Sequence, residues 1–292
     1  MHCCGAPVLL LSAYILGVLT AGYYFGVFAM AWDLLFGFAG EVNFGPTFRI
    51  GLGAYTAATV NSKYALAIPW CVLAGVVSAL IGGLLLAVPA LRLRGPYFGL
   101  VTLVAVLLLQ NAIVIFAGVT GGEIGMTVPD VLSLSAATNY WYGLVFLVVC
   151  AVILFGLSRS AIGLILQASG QDPIEAQALG FNVVKHKLMA FSISAVFSGM
   201  AGAMLVFYLG AASVGTLIDI SVGVQIIIAA VLGGRRSILG AALGAVLLIG
   251  AGEILRPLGQ LNTFAVSALA LAVILFFSDG LLGYALRKRE AK

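Results

Sequence analysis

Residues 159–188 read RSAIGLILQASGQDPIEAQALGFNVVKHKL, the longest polar interruption in an otherwise apolar chain. A short helix is written into this stretch with both of its ends. Asp172 is placed to cap the first turn, Pro173 fits the first helical position, and Glu175 falls at the spacing of a capping box. Gly180 supplies a left-handed stop, and Lys185 and Lys187 follow it. A helix of about seven residues, 173–179, does not hold together alone in water. The segment therefore predicts an apolar face, Ile174, Ala178 and Leu179 with Ala176 beside them, that a separate protein grips to pass force into the rest of the chain.

That rest is membrane protein by composition. Hydrophobic residues make up 63% of the chain and charged residues 8%, and the mean hydropathy is +1.19. A soluble domain carries about 25% charged residues. Apolar segments near span length recur throughout, which predicts helices; barrel strands would be shorter and alternating. The first apolar run, 7–31, lacks a basic leader and a small-residue cleavage site, and reads as a retained helix. Cys71 and Cys150 fall inside apolar runs, where cysteine behaves as a small hydrophobe. Cys3 and Cys4 are adjacent near the start, and no pair has the spacing of a metal site.

Ten membrane segments can be placed, approximately 8–30, 32–47, 50–65, 68–89, 96–117, 140–158, 188–210, 217–234, 237–255 and 261–278. They form one transmembrane domain over 1–292, with 159–188 as its cytoplasmic coupling loop. An N-terminus in the cytoplasm puts Arg49, Arg92, Arg94, Arg159, Lys185, Lys187, Arg235, Arg236, Arg287, Lys288, Arg289 and Lys292 on the inner side. The outer side keeps only Lys63 and Arg256 of the fourteen Lys and Arg. Both termini are then expected inside. The net charge of +4 sits almost wholly on one membrane face, so it is no nucleic-acid signal. Five plus five spans give halves of opposite orientation, the plan of an inverted repeat. The 37 glycines and runs such as Gly199-Met200-Ala201-Gly202-Ala203 predict closely packed helices.

The candidates for chemistry are few. Glu41, Asn43, Gln110, Asn111, Gln225 and Glu253 are the polar side chains set deepest in or near the spans, and each should face protein or water rather than lipid. For the amides an interhelical hydrogen bond is the ordinary explanation. Glu41 stands apart, a carboxylate in a stretch broken by Gly37, Gly40, Gly45 and Pro46, which Arg49 or another chain can neutralise. Asp33, Asp219 and Asp279 fall at predicted span ends, where solvation accounts for them. His2 and His186 lie in polar segments without a metal-spaced companion. The chain carries neither a Gly-x-Ser-x-Gly nor a His-Glu-x-x-His motif, and no paired acids at depth. It also has no phosphate loop of the Gly-x-x-x-x-Gly-Lys-Ser/Thr type. Energy from ATP would have to come from a separate chain docked on 173–179.

Four stretches give the chain a family resemblance: Gly37-Phe38-Ala39-Gly40-Glu41-Val42-Asn43-Phe44-Gly45 continuing to Gly51-Leu52-Gly53-Ala54-Tyr55; Leu91-Arg92-Leu93-Arg94-Gly95-Pro96-Tyr97-Phe98; Thr120-Gly121-Gly122-Glu123-Ile124-Gly125-Met126; and Glu175-Ala176-Gln177-Ala178-Leu179-Gly180-Phe181-Asn182. Over nearly its full length the chain resembles the permease subunits of ABC importers for branched-chain amino acids, and the second and third stretches are similar to the M-type subunit of the pair. The last resembles the cytoplasmic EAA-like loop, with Gly one residue earlier than in general EAA loops. Where the family commonly has Ser or Gly-His near the second span, this chain has Asn43 and Gly45-Pro46-Thr47-Phe48.

The resemblance implies an all-α importer permease paired with a homologous second permease, two cytoplasmic ATPases and an extracytoplasmic binding protein, with no cofactor of its own. The solute would be leucine, isoleucine or valine; relatives that move urea, short amides or simple sugars leave a second solute class open. Asp172, Ile174, Glu175, Ala176, Ala178, Leu179 and Gly180 would take the ATPase stroke. Glu41, Asn43, Gln110, Asn111 and Gln225 would be the pathway candidates. An ion-coupled transporter would rely on Glu41, and a channel or scaffold would need no capped helix.

Overall fold

The computed structural model describes residues 13–91, 93, 96–259 and 268. Helix α1 (Ala13–Asp33) runs on through a π-helical turn, Leu34–Phe38. It is followed by α2 (Pro46–Tyr64), α3 (Ile68–Ala90), α4 (Pro96–Ile115), α5 (Ala117–Thr120), strand β1 (Met126–Thr127), α6 (Ala136–Arg159), α7 (Ala161–Gln171), α8 (Pro173–Ala178), α9 (Val183–Leu209), strand β2 (Ala211–Ala212), α10 (Val214–Leu217), α11 (Ile220–Gly233), α12 (Ile238–Ile254) and a 3-10 turn, Arg256–Leu258.

Two helices form the core. Tyr24, Val27, Phe28, Ala29, Met30, Ala31 and Trp32 bury α1 on all sides, as expected of a helix apolar around its whole circumference. It packs against α6, α9, α11 and α12. Helix α9 is the second, against α2 and α3, and small residues let it approach closely. A Cβ on Gly53 of α2 would stand only 2.6 Å from Gly199 Cα of α9. Six segments among the described residues are long and apolar enough to cross a membrane: Ala13–Phe38, Ile68–Ala90, Tyr97–Ile115, Ala136–Arg159, Val183–Leu209 and Val214–Gly233. Helices α2 and α12 run between the same two ends of the bundle. The chain is thus an all-α, multi-pass membrane protein.

The two ends are fixed by their contacts. At the far end β1 pairs antiparallel with β2, Met126 opposite Ala212 and Thr127 opposite Ala211. Asn61 Nδ2 donates to Asp130 Oδ2 there at 2.8 Å, Tyr208 donates its hydroxyl hydrogen to Gly17 O at 3.1 Å, and Arg256 Nη1 donates to Tyr14 Oη at 2.8 Å. The opposite end carries α7, α8, the 234–237 turn and the 39–45 loop. Arg159, Lys185, Lys187, Arg235 and Arg236 gather at that end; Lys63 and Arg256 lie at the other. Among the described residues these seven cations divide between the two ends as expected, while Arg49 is buried within α2 instead of lying in a loop.

Three expectations are corrected. Spans 8–30 and 32–47 do not form a pair: the chain stays helical to Phe38, turns at Gly40 (φ +73°), and is irregular from there until Pro46 opens α2. Gly37 lowers helix propensity by only about 1 kcal/mol, less than the cost of leaving backbone N–H and C=O groups unpaired at membrane depth. As a result Tyr14 sits at the end opposite α8, not on its side as a cytoplasmic N-terminus would require. Finally, residues 161–171 form a helix that was not foreseen; α7 turns Gly163, Leu166 and Ser169 inward at a spacing of three. The tenth expected span, 261–278 apart from Ala268, and Cys3, Cys4, Arg92, Arg94, Asp279 and the basic cluster at 287–292 lie outside the described residues.

Candidate functional site

The capped segment 172–180, lever-shaped at the end of the bundle, has the geometry its sequence predicts. Asp172 Oδ1 accepts from Ile174 N at 2.8 Å and from Glu175 N at 3.1 Å, so two N–H groups of the first turn are satisfied by one carboxylate. At the other end Phe181 N donates to Ala176 O at 3.1 Å and Gly180 N to Gln177 O at 2.9 Å, the paired bonds of a Schellman stop. Gly180 has φ +88° and open space around its missing Cβ. Asn182 then caps α9, its Oδ1 accepting from Lys185 N at 3.0 Å.

Of the predicted lever face, Ile174 is 79% exposed and Leu179 is 74% exposed. Ala178 is exposed as well, and Phe181 and Val184 extend the apolar surface. Ala176 does not share it: at 2% exposure it seats the lever on the chain's own body. Ile174, Ala178, Leu179, Phe181 and Val184 thus form an exposed apolar surface at the cationic end of the bundle.

Behind the lever lies a polar joint with no local sequence signal. Lys187 Nζ donates to Glu41 Oε1 at 2.5 Å, both side chains largely buried, so Lys187, and not Arg49, neutralises this carboxylate. Arg236 N donates to Asp33 Oδ1 at 3.2 Å and Arg236 Nε to Gly37 O at 3.1 Å. Asp33, expected to be solvated, is 1% exposed. Arg235 lies 4.8 Å over the Phe36 ring. Arg49, expected in an inner loop, is 1% exposed and stacks 4.6 Å from the Phe191 ring centre. Asp33 with Arg236, and Glu41 with Lys187, are more than a hundred residues apart in sequence, and only the folded chain brings them together.

The pathway candidates are not gathered in one place. Asn43 is buried in the 39–45 loop, where its Oδ1 accepts from Gly45 N at 2.9 Å and its main-chain carbonyl accepts from Trp32 Nε1 at 2.7 Å. Gln110 Nε2 donates to Ile218 O at 3.2 Å, joining α4 to the approach to α11. Asn111 is exposed on α4 and donates to Leu107 O of its own helix at 2.8 Å. Gln225 is half-buried on α11. Glu253 pairs with Arg256 at the far end. A mostly apolar cavity of ≈ 280 Å³ opens between α2 and α4, with Tyr55, Thr56, Thr59 and Thr120 in its lining and none of the five pathway candidates.

A multi-pass bundle of apolar helices with a capped short helix exposed at its cationic end is the architecture of a permease-type membrane subunit. The comparisons agree: residues 14–278 match the model of the branched-chain amino acid transport system / permease component family, and the chain belongs to that family. It is 30% identical to the high-affinity branched-chain amino acid transport system permease protein LivM of Salmonella typhimurium, over 88% of this chain and 67% of the relative. It is 29% identical to LivM of Escherichia coli over the same shares. To the permease protein BraD of Pseudomonas aeruginosa it is 28% identical, over 91% of this chain and 93% of the relative. No solved structure matches.

Proposed function

We propose that this permease is the membrane subunit of an ATP-driven importer for branched-chain amino acids, worked by two cytoplasmic ATPases that grip α8. A homologous second permease completes the pathway, and an extracytoplasmic binding protein delivers the solute. The observation that carries the reading is the exposed face of Ile174, Ala178 and Leu179 on a helix too short to stand unsupported. The end bearing Arg159, Lys185, Lys187, Arg235 and Arg236 is then cytoplasmic by the charge rule, and Tyr14, Lys63 and Arg256 are extracytoplasmic.

ATP binding draws the two ATPases together and moves each lever. The work comes from the ATPases' different affinity for the two permease states, since a partner indifferent to the states shifts nothing. The ATPases also carry the hydrolysis, so this chain needs no catalytic residue. The branched-chain solute is supported by the names of the relatives; urea or a short amide is the alternative. The engagement of Glu41 by Lys187 favours ATP over an ion gradient, because it occupies the carboxylate on which ion coupling would rely.

Purification of the solubilised chain with its co-expressed second permease and ATPases, followed by an ATP hydrolysis assay and by uptake of labelled leucine into proteoliposomes supplied with the binding protein, tests the reading. Bound ATPase and uptake that needs ATP are expected. Uptake that stops when the proton or sodium gradient collapses while ATP remains would overturn it.

A further inference from the structure

The lever is tied to the core by more than the two helices that continue its chain. On its upstream side Gln171, the last residue of α7, accepts with its amide oxygen from Arg236 Nη1 at 3.0 Å and from Nη2 at 3.3 Å, in the amide orientation that satisfies both groups. The same guanidinium donates through Nε to Gly37 O. Arg236 holds φ +64°, rare for a side chain of this size, and its main-chain N–H reaches Asp33. One residue earlier than Gln171, Gly170 lies against the turn itself: a Cβ there would stand 2.6 Å from Phe38 O, and one on Gly40 would stand 2.7 Å from Gly170 O. On the downstream side Lys187, in the second turn of α9, holds Glu41. The stretch from Asp33 to Glu41 is therefore clasped both before and after the lever.

That clasped stretch contains the π-helical turn of α1. A π turn carries one more residue than an α turn and recurs at functional sites. A change of that turn from π to α winding would rotate everything beyond it by about 100°, a discrete step rather than a continuous bend. Discrete alternatives are what a coupled transition needs.

We infer that Arg236 and the Glu41–Lys187 pair are positioning residues that carry lever movement into the π turn of α1, and through it to the start of α2. Helices with no direct chain connection to the lever then move with it. The inference rests on the docking role given to α8 above. Polar side chains and glycines from α7, α9 and the 234–237 turn meet this stretch where α1 gives way to the irregular backbone before α2.

The test uses the full importer, both permeases and both ATPases, in proteoliposomes with the binding protein. It reads ATPase co-purification and solute molecules moved per ATP hydrolysed. Arg236→Gln, Gln171→Leu, Glu41→Lys and Lys187→Glu should each keep the ATPase bound and lower solute per ATP about tenfold, within the range of measured coupling energies. The double reversal Glu41→Lys with Lys187→Glu should recover most of that ratio, and Gln171→Glu should keep it. An unchanged ratio in the single variants, a fall in ratio that only mirrors lost ATPase binding, or a double reversal as poor as its parents would overturn the inference. If the unaltered chain fails to retain the ATPase, the docking role itself falls, and that result appears before any variant is read.

Discussion

Two glycines show how one residue type does two jobs with two different failure modes. Gly180 is needed for its backbone: φ is +88° with nothing within 4 Å of its absent Cβ. A β-branched residue there meets no neighbour and pays only the left-handed conformation, about 1–2 kcal/mol. Gly180→Val should therefore leave the thermal unfolding of the solubilised chain in place while lowering solute moved per ATP, and Gly180→Asn should be milder because Asn tolerates that region. Gly53 is needed for its size, with Gly199 Cα 2.6 Å from where its Cβ would be. Gly53→Val should lower the unfolding temperature of the whole bundle through overpacking, at a cost of about 1–3 kcal/mol, with no selective loss of coupling. Gly180 was legible in the sequence, because a capped run of apolar and polar residues ending in Gly has a local meaning. The partner of Gly53 was not, since small residues recur along α2, α3, α9 and α12 and spacing alone cannot say which backbone meets which. Asp33 was misplaced for the same reason: its burial depends on Arg236, 203 positions away.

At the scale of the element, α8 and the end of α1 had opposite fates. The lever was readable because every device that makes it a helix lies within ten residues. Asp172→Ala removes the acceptor of two N–H groups and should cost about 0.5–2 kcal/mol, a large share for a helix of six residues. The expected outcome is weaker retention of the ATPase on the permease, measured by titration of the purified subunits, with recovery in Asp172→Ser and no shift in the unfolding of the membrane bundle. An undiminished affinity in Asp172→Ala would mean that the lever is not held as a helix. The end of α1 was misread because Gly37 and Gly40 look equivalent in sequence. Gly37 is instead a close-approach site facing Asp33 and Arg236 inside a continuing helix, and Gly40 alone makes the turn. Helix α7 escaped notice because its inward residues are Gly163, Leu166 and Ser169, an apolar stripe too small to stand out beside the spans.

For the whole molecule, composition settled the class and the cationic residues separate the two ends, both being sums over many positions that tolerate local error. The side on which α1 begins is a parity, and one wrongly divided span inverts it; that is why Tyr14 lies opposite the expected face. The outer surface is also uneven in a way that composition conceals. Helix α3 exposes Leu73, Val77, Ile81, Leu85 and Val88, an unbroken apolar stripe suited to lipid, whereas α4 exposes Asn111 among Leu100, Val104, Leu107 and Leu108. The Asn111 amide spends one N–H on Leu107 O and has its carbonyl oxygen and second N–H left to satisfy, which is costly against hydrocarbon. The proposed importer supplies a partner, the second permease. An interhelical hydrogen bond within a membrane contributes ~0.6–1.7 kcal/mol, equivalent to roughly threefold to twentyfold in an association constant. Asn111→Leu should weaken assembly of the two permeases in bilayers by that factor, read by energy transfer between labelled subunits at varied lipid-to-protein ratio. Val77→Leu on the lipid stripe should leave assembly unchanged. Equal assembly in both variants would turn α4 outward to lipid and move the permease contact to another face of the bundle.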